Sequence, residues 1–197
     1  VYGLEKVIHP KLTLIPNTYQ LLESVNKILS WHDLLYVDEE YPRWSIYFMA
    51  LLNRCPYRVC EEICNRLNVP LKELDLFLKK RYQAEKKLTL IENSNGYTAQ
   101  DLYWLLINFK TEYILYMMAL TTQEKIKKDI SHFYTHQRKI KPYLKGKALV
   151  ALGIKPGPVY SKILNLIRDE KLDGGLKNKK AELLFAEKMA KKYKLID

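Results

Sequence analysis

The sequence predicts an all-α protein, an irregular array of about ten helices that ends in a basic helical tail. Apolar residues recur at three- and four-residue spacings along most of the chain, as in amphipathic helices, and no alternation of period two persists. Glycines and prolines stand between these segments, where helices begin and end. Apolar residues make up 48% of the 197 residues, which is enough to fill a core. Global disorder is therefore excluded.

Two helices open the chain in this interpretation. Asn17 is placed to cap the first, and Pro42 fits the first turn of the second. The apolar face of the first helix is predicted to comprise Leu21, Leu22, Val25, Ile28 and Leu29. The inward side chains of the second are predicted to be Trp44, Tyr47, Phe48, Leu51 and Leu52.

Four more helices follow before residue 121. Pro56 and Pro70 stand at the starts of two of them, and the second of these runs from Leu71 to Ile91. Thr98 is predicted to cap the next helix. Another helix extends from about Glu112 to Leu120.

The charge is distributed very unevenly along the chain. Residues 1–121 contain 14 Lys and Arg and 14 Asp and Glu, whereas residues 122–197 contain 19 and 8, so the whole excess of +11 lies in the second segment. A one-sided positive field is what a polyanion-binding surface needs, because each neutralised phosphate releases counterions. A merely lysine-rich soluble surface would spread lysine through both segments. We therefore divide the chain into a charge-balanced helical body, 1–121, and a basic helical tail, 122–197.

The tail is predicted to begin with a helix capped by Thr122. Its apolar positions are Ile126, Ile130, Phe133 and Ile140. A different face carries a basic stripe about four turns long, formed by Lys125, Lys128, His132, His136 and Lys139. The stripe predicts contact with phosphate, and an ordinary solvated face is the alternative.

Residues 145–175 predict a helical hairpin. Gly153 can end its first helix in a left-handed conformation, and Gly157 lets a backbone pass close by. Pro158 is preset for the first position of the second helix, where the amides of Val159 and Tyr160 would be free to bind an anion. In either interpretation the hairpin packs through its apolar residues. If packing is its only role, the glycines serve simply as turn residues.

Lysines surround this hairpin and follow it along the chain. Asn178 is predicted to cap a last helix. The predicted phosphate-binding lysines of this region are Lys145, Lys147, Lys155, Lys162, Lys179 and Lys180.

The hairpin motif resembles the C-terminal signature of the bacterial class II tRNA nucleotidyltransferases. The matching residues are Gly146-Lys147, the run from Leu152 to Pro158 (Leu-Gly-Ile-Lys-Pro-Gly-Pro), Ile163-Leu164 and Leu172-Asp173-Gly174. Weaker similarities upstream, at His9-Pro10, Trp31-His32 and Arg43-Trp44, extend the resemblance over nearly the whole chain. Ala148 departs from the family, which commonly has Asp there. The family includes CCA-adding, CC-adding and A-adding enzymes and the related bacterial poly(A) polymerases.

The resemblance implies a tRNA-binding role without chemistry of its own. In this family a catalytic head transfers nucleotides to the tRNA 3′ end with two metal ions on paired Asp. The Gly-Ser motif and Asp-x-Asp pair of that head do not occur here, and Pro42 interrupts the only stretch that echoes its nucleotide-selecting motif, Glu39 to Arg43. We therefore expect no catalytic residue and no cofactor in this chain. The head and neck are expected upstream of Val1, with Mg²⁺ and a nucleoside triphosphate in the head.

The expected partners are the acceptor–T arm of tRNA and the protein's own head and neck. One alternative is the same region of a poly(A) polymerase acting on other RNA. Another is a non-catalytic α-helical module that binds protein through its aromatic side chains. Steep salt dependence of binding would favour RNA over a protein partner.

The remaining residue types predict an intracellular, cytoplasmic chain without a metal site or membrane span. Cys55, Cys60 and Cys64 form no CxxC motif and suit burial as small hydrophobic residues. His132 and His136 are four apart but lack a third ligand. The longest apolar run, around Tyr113 to Leu120, is too short to cross a membrane.

Overall fold

A computed structural model describes residues 3–193, and over this range the chain is helical without a β-strand, which confirms the predicted all-α class. Its α-helices are α1 (Leu4–Ile8), α2 (Pro16–Asp33), α3 (Arg43–Leu52), α4 (Tyr57–Arg66), α5 (Leu71–Asp75), α6 (Arg81–Glu92), α7 (Ala99–Leu106), α8 (Thr111–Leu120), α9 (Glu124–Thr135), α10 (Gly146–Ala151), α11 (Pro158–Leu172) and α12 (Lys179–Lys192). A π-helical turn, Leu76–Lys80, joins α5 to α6, and a 3₁₀ turn, Gln137–Lys139, follows α9.

The chain divides into two compact units. The first contains the chain up to Tyr97 together with Leu105–Ser131, and the second contains Thr98–Trp104 and the chain from His132 on. This is a division by packing, whereas the body and tail of the sequence analysis are a division by charge.

Helix α8 forms the centre of the first unit. Every residue from Thr111 to Ala119 is buried, as is typical of a helix with apolar side chains on all sides. Helices α2 and α3 pack against it and against each other. The core between them contains large side chains that are almost fully buried, among them Leu29, Ile46, Met49, Leu52 and Tyr116.

A buried hydrogen-bond network ties α6 to α8 and to the end of α3. The phenol of Tyr116 donates to Glu85 Oε1 (2.7 Å), and Arg81 Nη1 donates to the same carboxylate (2.6 Å). The amide nitrogen of Asn53 lies 3.1 Å from the Tyr116 oxygen. Burial and the neighbouring charge of Glu85 raise the pKa of Tyr116, which therefore remains a neutral donor.

The second unit is built around α10, α11 and α12. Its apolar core contains Leu144, Leu149, Ile154, Ile163, Ile167, Ala186 and Ala190. Helix α11 also packs beside the segment Thr98–Trp104. The indole of Trp104 donates to Asp169 (2.6 Å), and the guanidinium of Arg168 lies 5.6 Å and 5.3 Å from the ring centroids of Tyr103 and Trp104.

The ends of these helices follow from local chemistry. Gly153 has φ of 79° and Gly174 has φ of 78°, left-handed conformations that favour glycine. The amide of Gly175 donates to Glu170 O (2.8 Å), which closes the end of α11. As predicted, Asn178 caps α12, because its side-chain oxygen accepts a hydrogen bond from the amide of Ala181 (2.9 Å).

Candidate nucleic-acid interface

The basic residues that follow Thr122 do not share one continuous helix. Lys125, Lys128 and His132 belong to α9, which begins at Glu124 and ends at Thr135. His136 follows the helix, and Lys139 ends the separate 3₁₀ turn. The prediction of one four-turn stripe is therefore wrong beyond His132.

The chain leaves helical geometry between Thr135 and Pro142. Ile140, predicted as a helical position, ends the 3₁₀ turn with an extended backbone. Pro142 then disfavours helical geometry at Lys141, so a helix is not resumed there. The buried face of α9 is as predicted, since Ile126, Ile130 and Phe133 are each at most 2% exposed.

Each of the two acidic side chains of α9 has a hydrogen-bond partner other than Lys125 or Lys128. Glu124 accepts a hydrogen bond from Lys127 (2.7 Å), and this bond lowers the pKa of the Glu124 carboxyl. Asp129 accepts a hydrogen bond from the phenol of Tyr97 (2.6 Å). Burial and this hydrogen bond raise the pKa of Tyr97. The Lys125 ammonium lies 5.5 Å from the centroid of the Tyr97 ring and leaves its charge exposed to solvent.

The two histidines of the predicted stripe stack on each other. The rings of His132 and His136 have centroids 4.8 Å apart and an interplanar angle of 23°, and both side chains are exposed. Within the described part of the chain, no three His, Cys, Asp or Glu side chains come together as metal ligands.

The hairpin between α10 and α11 is held by Tyr160. Its phenol donates to Ile154 O (2.9 Å), and its ring lies against Gly146, where an added Cβ would meet it at 3.5 Å. Leu149, Ile154 and Ile163 are buried beneath the hairpin. The packing role predicted for this motif is therefore present.

The N-terminus of α11 differs from its prediction in two details. The amide of Tyr160 donates to Gly157 O (3.0 Å), so it is not free to bind an anion. That the amide of Val159 is free to bind an anion stays a prediction. Gly157 has φ of 167°, extended backbone that any residue adopts, and an added Cβ would meet nothing within 4 Å. Its backbone is unstrained, and Pro158 occupies the first helical position as predicted.

The lysines around this hairpin are exposed. Lys145 is the N-cap residue of α10, and Lys147 lies in its first turn. Lys155 lies in the loop before α11. The ammonium of Lys162 lies 4.2 Å from the centroid of the Tyr193 ring, a cation–π contact that orders this side chain.

Lys179 and Lys180 form the exposed beginning of α12. A helix N-terminus carries a partial positive charge, which these two ammonium groups reinforce. The acidic residue of the same turn, Glu182, is fully buried and does not neutralise them at the surface.

Nine predicted lysines share a property that bears on anion binding. Within residues 3–193, none of them forms an ion pair with a carboxylate. They are Lys125, Lys128, Lys139, Lys145, Lys147, Lys155, Lys162, Lys179 and Lys180. A phosphate can therefore neutralise their charges without first breaking a salt bridge to any described residue.

A buried charged group of the second unit was missed by the sequence reasoning. The Glu182 carboxylate accepts hydrogen bonds from Lys171 Nζ (2.7 Å) and from the amide of Leu144 (2.9 Å). The same ammonium lies 3.6 Å from the centroid of the Tyr143 ring. This network joins α11, α12 and the segment before α10. Its only sequence signal is an acidic residue in the first turn of α12.

The acidic stretch Asp38-Glu39-Glu40 lies outside any helix. Pro42 is the N-cap residue of α3, so the helical turn that a nucleotide-selecting motif would need is absent here. Arg43 instead pairs with Asp33, and this hydrogen bond lowers the pKa of the Asp33 carboxyl.

Among the described residues, no helix combines the length and the apolar character needed to cross a membrane.

Comparison with known proteins identifies sequence relatives. The chain is 32% identical over 192 residues to the A-adding tRNA nucleotidyltransferase of Geobacter sulfurreducens, a match that covers 95% of this chain and 22% of that protein. It is 35% identical over 112 residues to the A-adding tRNA nucleotidyltransferase of Halalkalibacterium halodurans, over 56% of this chain and 25% of that protein. The chain thus spans about a quarter or less of these curated relatives. No protein-family model matches it.

Solved structures share the fold. The Thermotoga maritima CCA-adding enzyme complexed with tRNA aligns with a TM-score of 0.71 at 19% identity, over 94% of this chain and 44% of that chain. A CCA-adding enzyme in complex with ATP aligns with a TM-score of 0.69 at 18% identity, over 98% of this chain and 44% of that chain. At these identities the likeness shows the fold alone.

Proposed function

The chain is a relative of one region of the tRNA nucleotidyltransferases, and we propose that it is the body and tail that hold tRNA in such an enzyme. In this proposal it binds the acceptor–T arm and presents the 3′ end to a catalytic head that adds CCA or its terminal nucleotides. The observation that carries the proposal is the set of nine lysines that form no ion pair among residues 3–193, on a chain related to enzymes that act on tRNA.

Recognition in this proposal is by shape and phosphate. Double-helical RNA has a deep, narrow major groove that side chains cannot read, so proteins contact its phosphates and 2′-hydroxyls instead. The exposed ammonium groups of Lys145, Lys147 and Lys155 suit such contacts, because each offers a mobile point charge rather than a fixed hydrogen-bonding pattern. Binding of this kind is expected for all tRNA species alike.

The metal and the nucleotide are assigned to the head. The described residues do not fit a two-metal site, because no three His, Cys, Asp or Glu side chains converge within residues 3–193. The paired carboxylates that hold Mg²⁺, and the nucleoside triphosphate, therefore belong in this proposal to the parent protein's head. This chain's own residues bind and orient the RNA.

Exposed apolar side chains of the first unit support a contact with the rest of the parent protein. Tyr36 is 90% exposed and Leu71 is 85% exposed. Single exposed apolar residues are ordinary on protein surfaces. These two are exposed to solvent over nearly their whole surface. We assign them to contact with the neck and head.

A first experiment tests the division of labour. The isolated 197-residue chain, incubated with tRNA, CTP, ATP and Mg²⁺ or Mn²⁺, is expected to incorporate no nucleotide, because it lacks the paired carboxylates. Incorporation is measured with radiolabelled nucleotide, and a complete tRNA nucleotidyltransferase is the positive control. Nucleotide addition by the pure chain would disprove this division.

A second experiment tests the hairpin. Lys155→Ala is expected to weaken tRNA binding, measured by fluorescence anisotropy, while changing the free energy of unfolding by no more than about 0.5 kcal/mol. Lys162→Ala should weaken binding and also cost about 0.5–1 kcal/mol of stability, because it loses the contact with Tyr193. Gly157→Ala should leave stability unchanged, since an added Cβ has room.

The Gly157 variant separates backbone contact from packing. Because the substitution is unstrained, a loss of affinity would locate the RNA backbone against this residue. Wild-type affinity in both Lys155→Ala and Gly157→Ala would contradict an RNA contact here and leave the hairpin with a packing role.

A further inference from the structure

Two cysteines are in contact at the start of α4, and the proposed RNA-binding function uses neither. Cys55 precedes the N-cap residue Pro56, and Cys60 is the fourth residue of the helix. These are the two positions whose side chains pack together in the hydrophobic staple of helix N-termini. The thiol of Cys60 donates a hydrogen bond to the carbonyl oxygen of Cys55 (3.5 Å).

The two thiols differ in access to solvent and in acidity. Cys55 is partly exposed, whereas Cys60 is fully buried. The neighbouring thiol of Cys60 and the charge of Arg81 outweigh burial and lower the pKa of Cys55 to about 7. The neighbouring Cys55 side chain, together with burial, raises the pKa of Cys60. Near neutral pH the accessible sulfur is therefore substantially thiolate, which is the nucleophilic form, and the buried sulfur keeps its proton.

Arg81 holds a positive charge beside this pair. Its side chain is buried, and three hydrogen bonds fix it: Nη2 to Cys60 Sγ (3.5 Å), Nε to Phe77 O (3.0 Å) and Nη1 to Glu85 (2.6 Å). Phe77 lies in the π-helical turn Leu76–Lys80. The cation is therefore part of the fold around the thiols rather than a mobile surface group.

We propose that Cys55 and Cys60 form a redox-active dithiol that hydroperoxides oxidise to an intrachain disulfide. The Cys55 thiolate attacks the terminal oxygen of the hydroperoxide; the O–O bond breaks, the alcohol (water, for hydrogen peroxide) leaves after taking up a proton, and Cys55 becomes a sulfenic acid. The sulfur of Cys60 then attacks the sulfur of Cys55. The S–O bond breaks, and hydroxide leaves with the Cys60 proton as water. Two electrons pass from the two sulfurs to the peroxide.

Cys64 supplies an internal comparison. It is also fully buried and near Arg81, and burial raises its pKa. The proposal requires Cys55 to react first, Cys60 to resolve it, and Cys64 to take no part.

The decisive experiment maps the products of oxidation in the reduced 197-residue chain. The chain is treated at pH 7 with one equivalent of hydrogen peroxide, and remaining thiols are alkylated before tryptic digestion without reductant. Cleavage after Arg54 and Arg58 places Cys55 and Cys60 on different peptides. The expected product joins these peptides with the loss of two hydrogens, and fragmentation assigns the bond to Cys60 rather than Cys64.

Two variants sharpen the result. Cys64→Ala should form the same cross-linked peptide, whereas Cys60→Ala should stop at a Cys55 sulfenic acid that dimedone traps. In the untreated wild-type chain at pH 7, iodoacetamide should alkylate Cys55 at least about tenfold faster than Cys64. A Cys60–Cys64 disulfide, or a Cys55 that reacts no faster than Cys64, would overturn the proposal. Neither readout involves tRNA, so its failure would leave the proposed RNA-binding function intact.

Discussion

Replacing Glu182 with alanine is expected to lower the free energy of unfolding by about 3–5 kcal/mol, the usual cost of breaking a buried ion pair by removing one partner. The carboxylate is fully buried and the Lys171 side chain is 11% exposed. Loss of the Glu182 carboxylate would leave the ammonium of Lys171 and the amide of Leu144 without this acceptor. Because these groups join three segments of the second unit, the loss cannot be relieved by moving one side chain. Urea denaturation followed by circular dichroism measures the change.

A matched control lies on the same helix. Glu187 pairs with Lys191 (3.1 Å), but both side chains are about half exposed. Glu187→Ala is therefore expected to change stability by less than about 1 kcal/mol, because exposed pairs are screened by water and salt. Glu182→Gln keeps an oxygen acceptor of the same shape and should fall between the two alanine variants. Equal losses for Glu182→Ala and Glu187→Ala would show that the buried network contributes nothing beyond its surface counterpart.

This network also shows where sequence reasoning ends. A carboxylate in the first turn of a helix ordinarily lies in solvent, where it interacts with the helix dipole. That Glu182 instead turns inward depends on Lys171, eleven residues earlier, and on a backbone amide 38 residues earlier. No spacing of residues within a short stretch of the sequence predicts these contacts of Glu182. By contrast, Gly153 and Asn178 were predictable, because a left-handed residue and a helix cap each need a particular chemistry at one position.

Helix α3 shows a different limit. Its buried face was predicted to include Trp44, but that side chain is 53% exposed, and Ile46 and Met49 are buried in its place. The segment from Arg43 to Leu52 is apolar on nearly every side, so its periodicity does not determine one inward face. In α9 charged residues alternate with apolar ones, and the inward residues Ile126, Ile130 and Phe133 were predicted correctly. The candidate interface followed from charge distribution, whereas its division between helix and turn required the structure.

The largest change in affinity is expected from replacing Lys125, Lys128 and Lys139 with alanine together. If each contacts a phosphate, the slope of log affinity against log salt should become shallower by about one unit per lysine, about three in all. Each unit of slope corresponds to about a tenfold change in affinity when the salt concentration falls from about 1 M to about 0.1 M. Three lost contacts should therefore lower the affinity of the variant at about 0.1 M salt by about a thousandfold relative to wild type. The lysines are exposed and have no ion pair within the described residues, so the free energy of unfolding should fall by no more than about 1 kcal/mol, from the lost contact between Lys125 and Tyr97.

The control for this variant has the same change in net charge at a different place. Lys72, Lys86 and Lys87 are exposed lysines of the charge-balanced segment, and their triple alanine variant also removes three positive charges. It should retain nearly the wild-type slope, because only lysines that contact phosphate release counterions on binding. Both variants are compared by anisotropy titration with two unrelated tRNA transcripts over a range of salt concentrations. An unchanged slope in the first variant would mean that its lysines form an ordinary solvated surface. Equal changes in both would mean that affinity follows net charge rather than phosphate contacts made after Thr122.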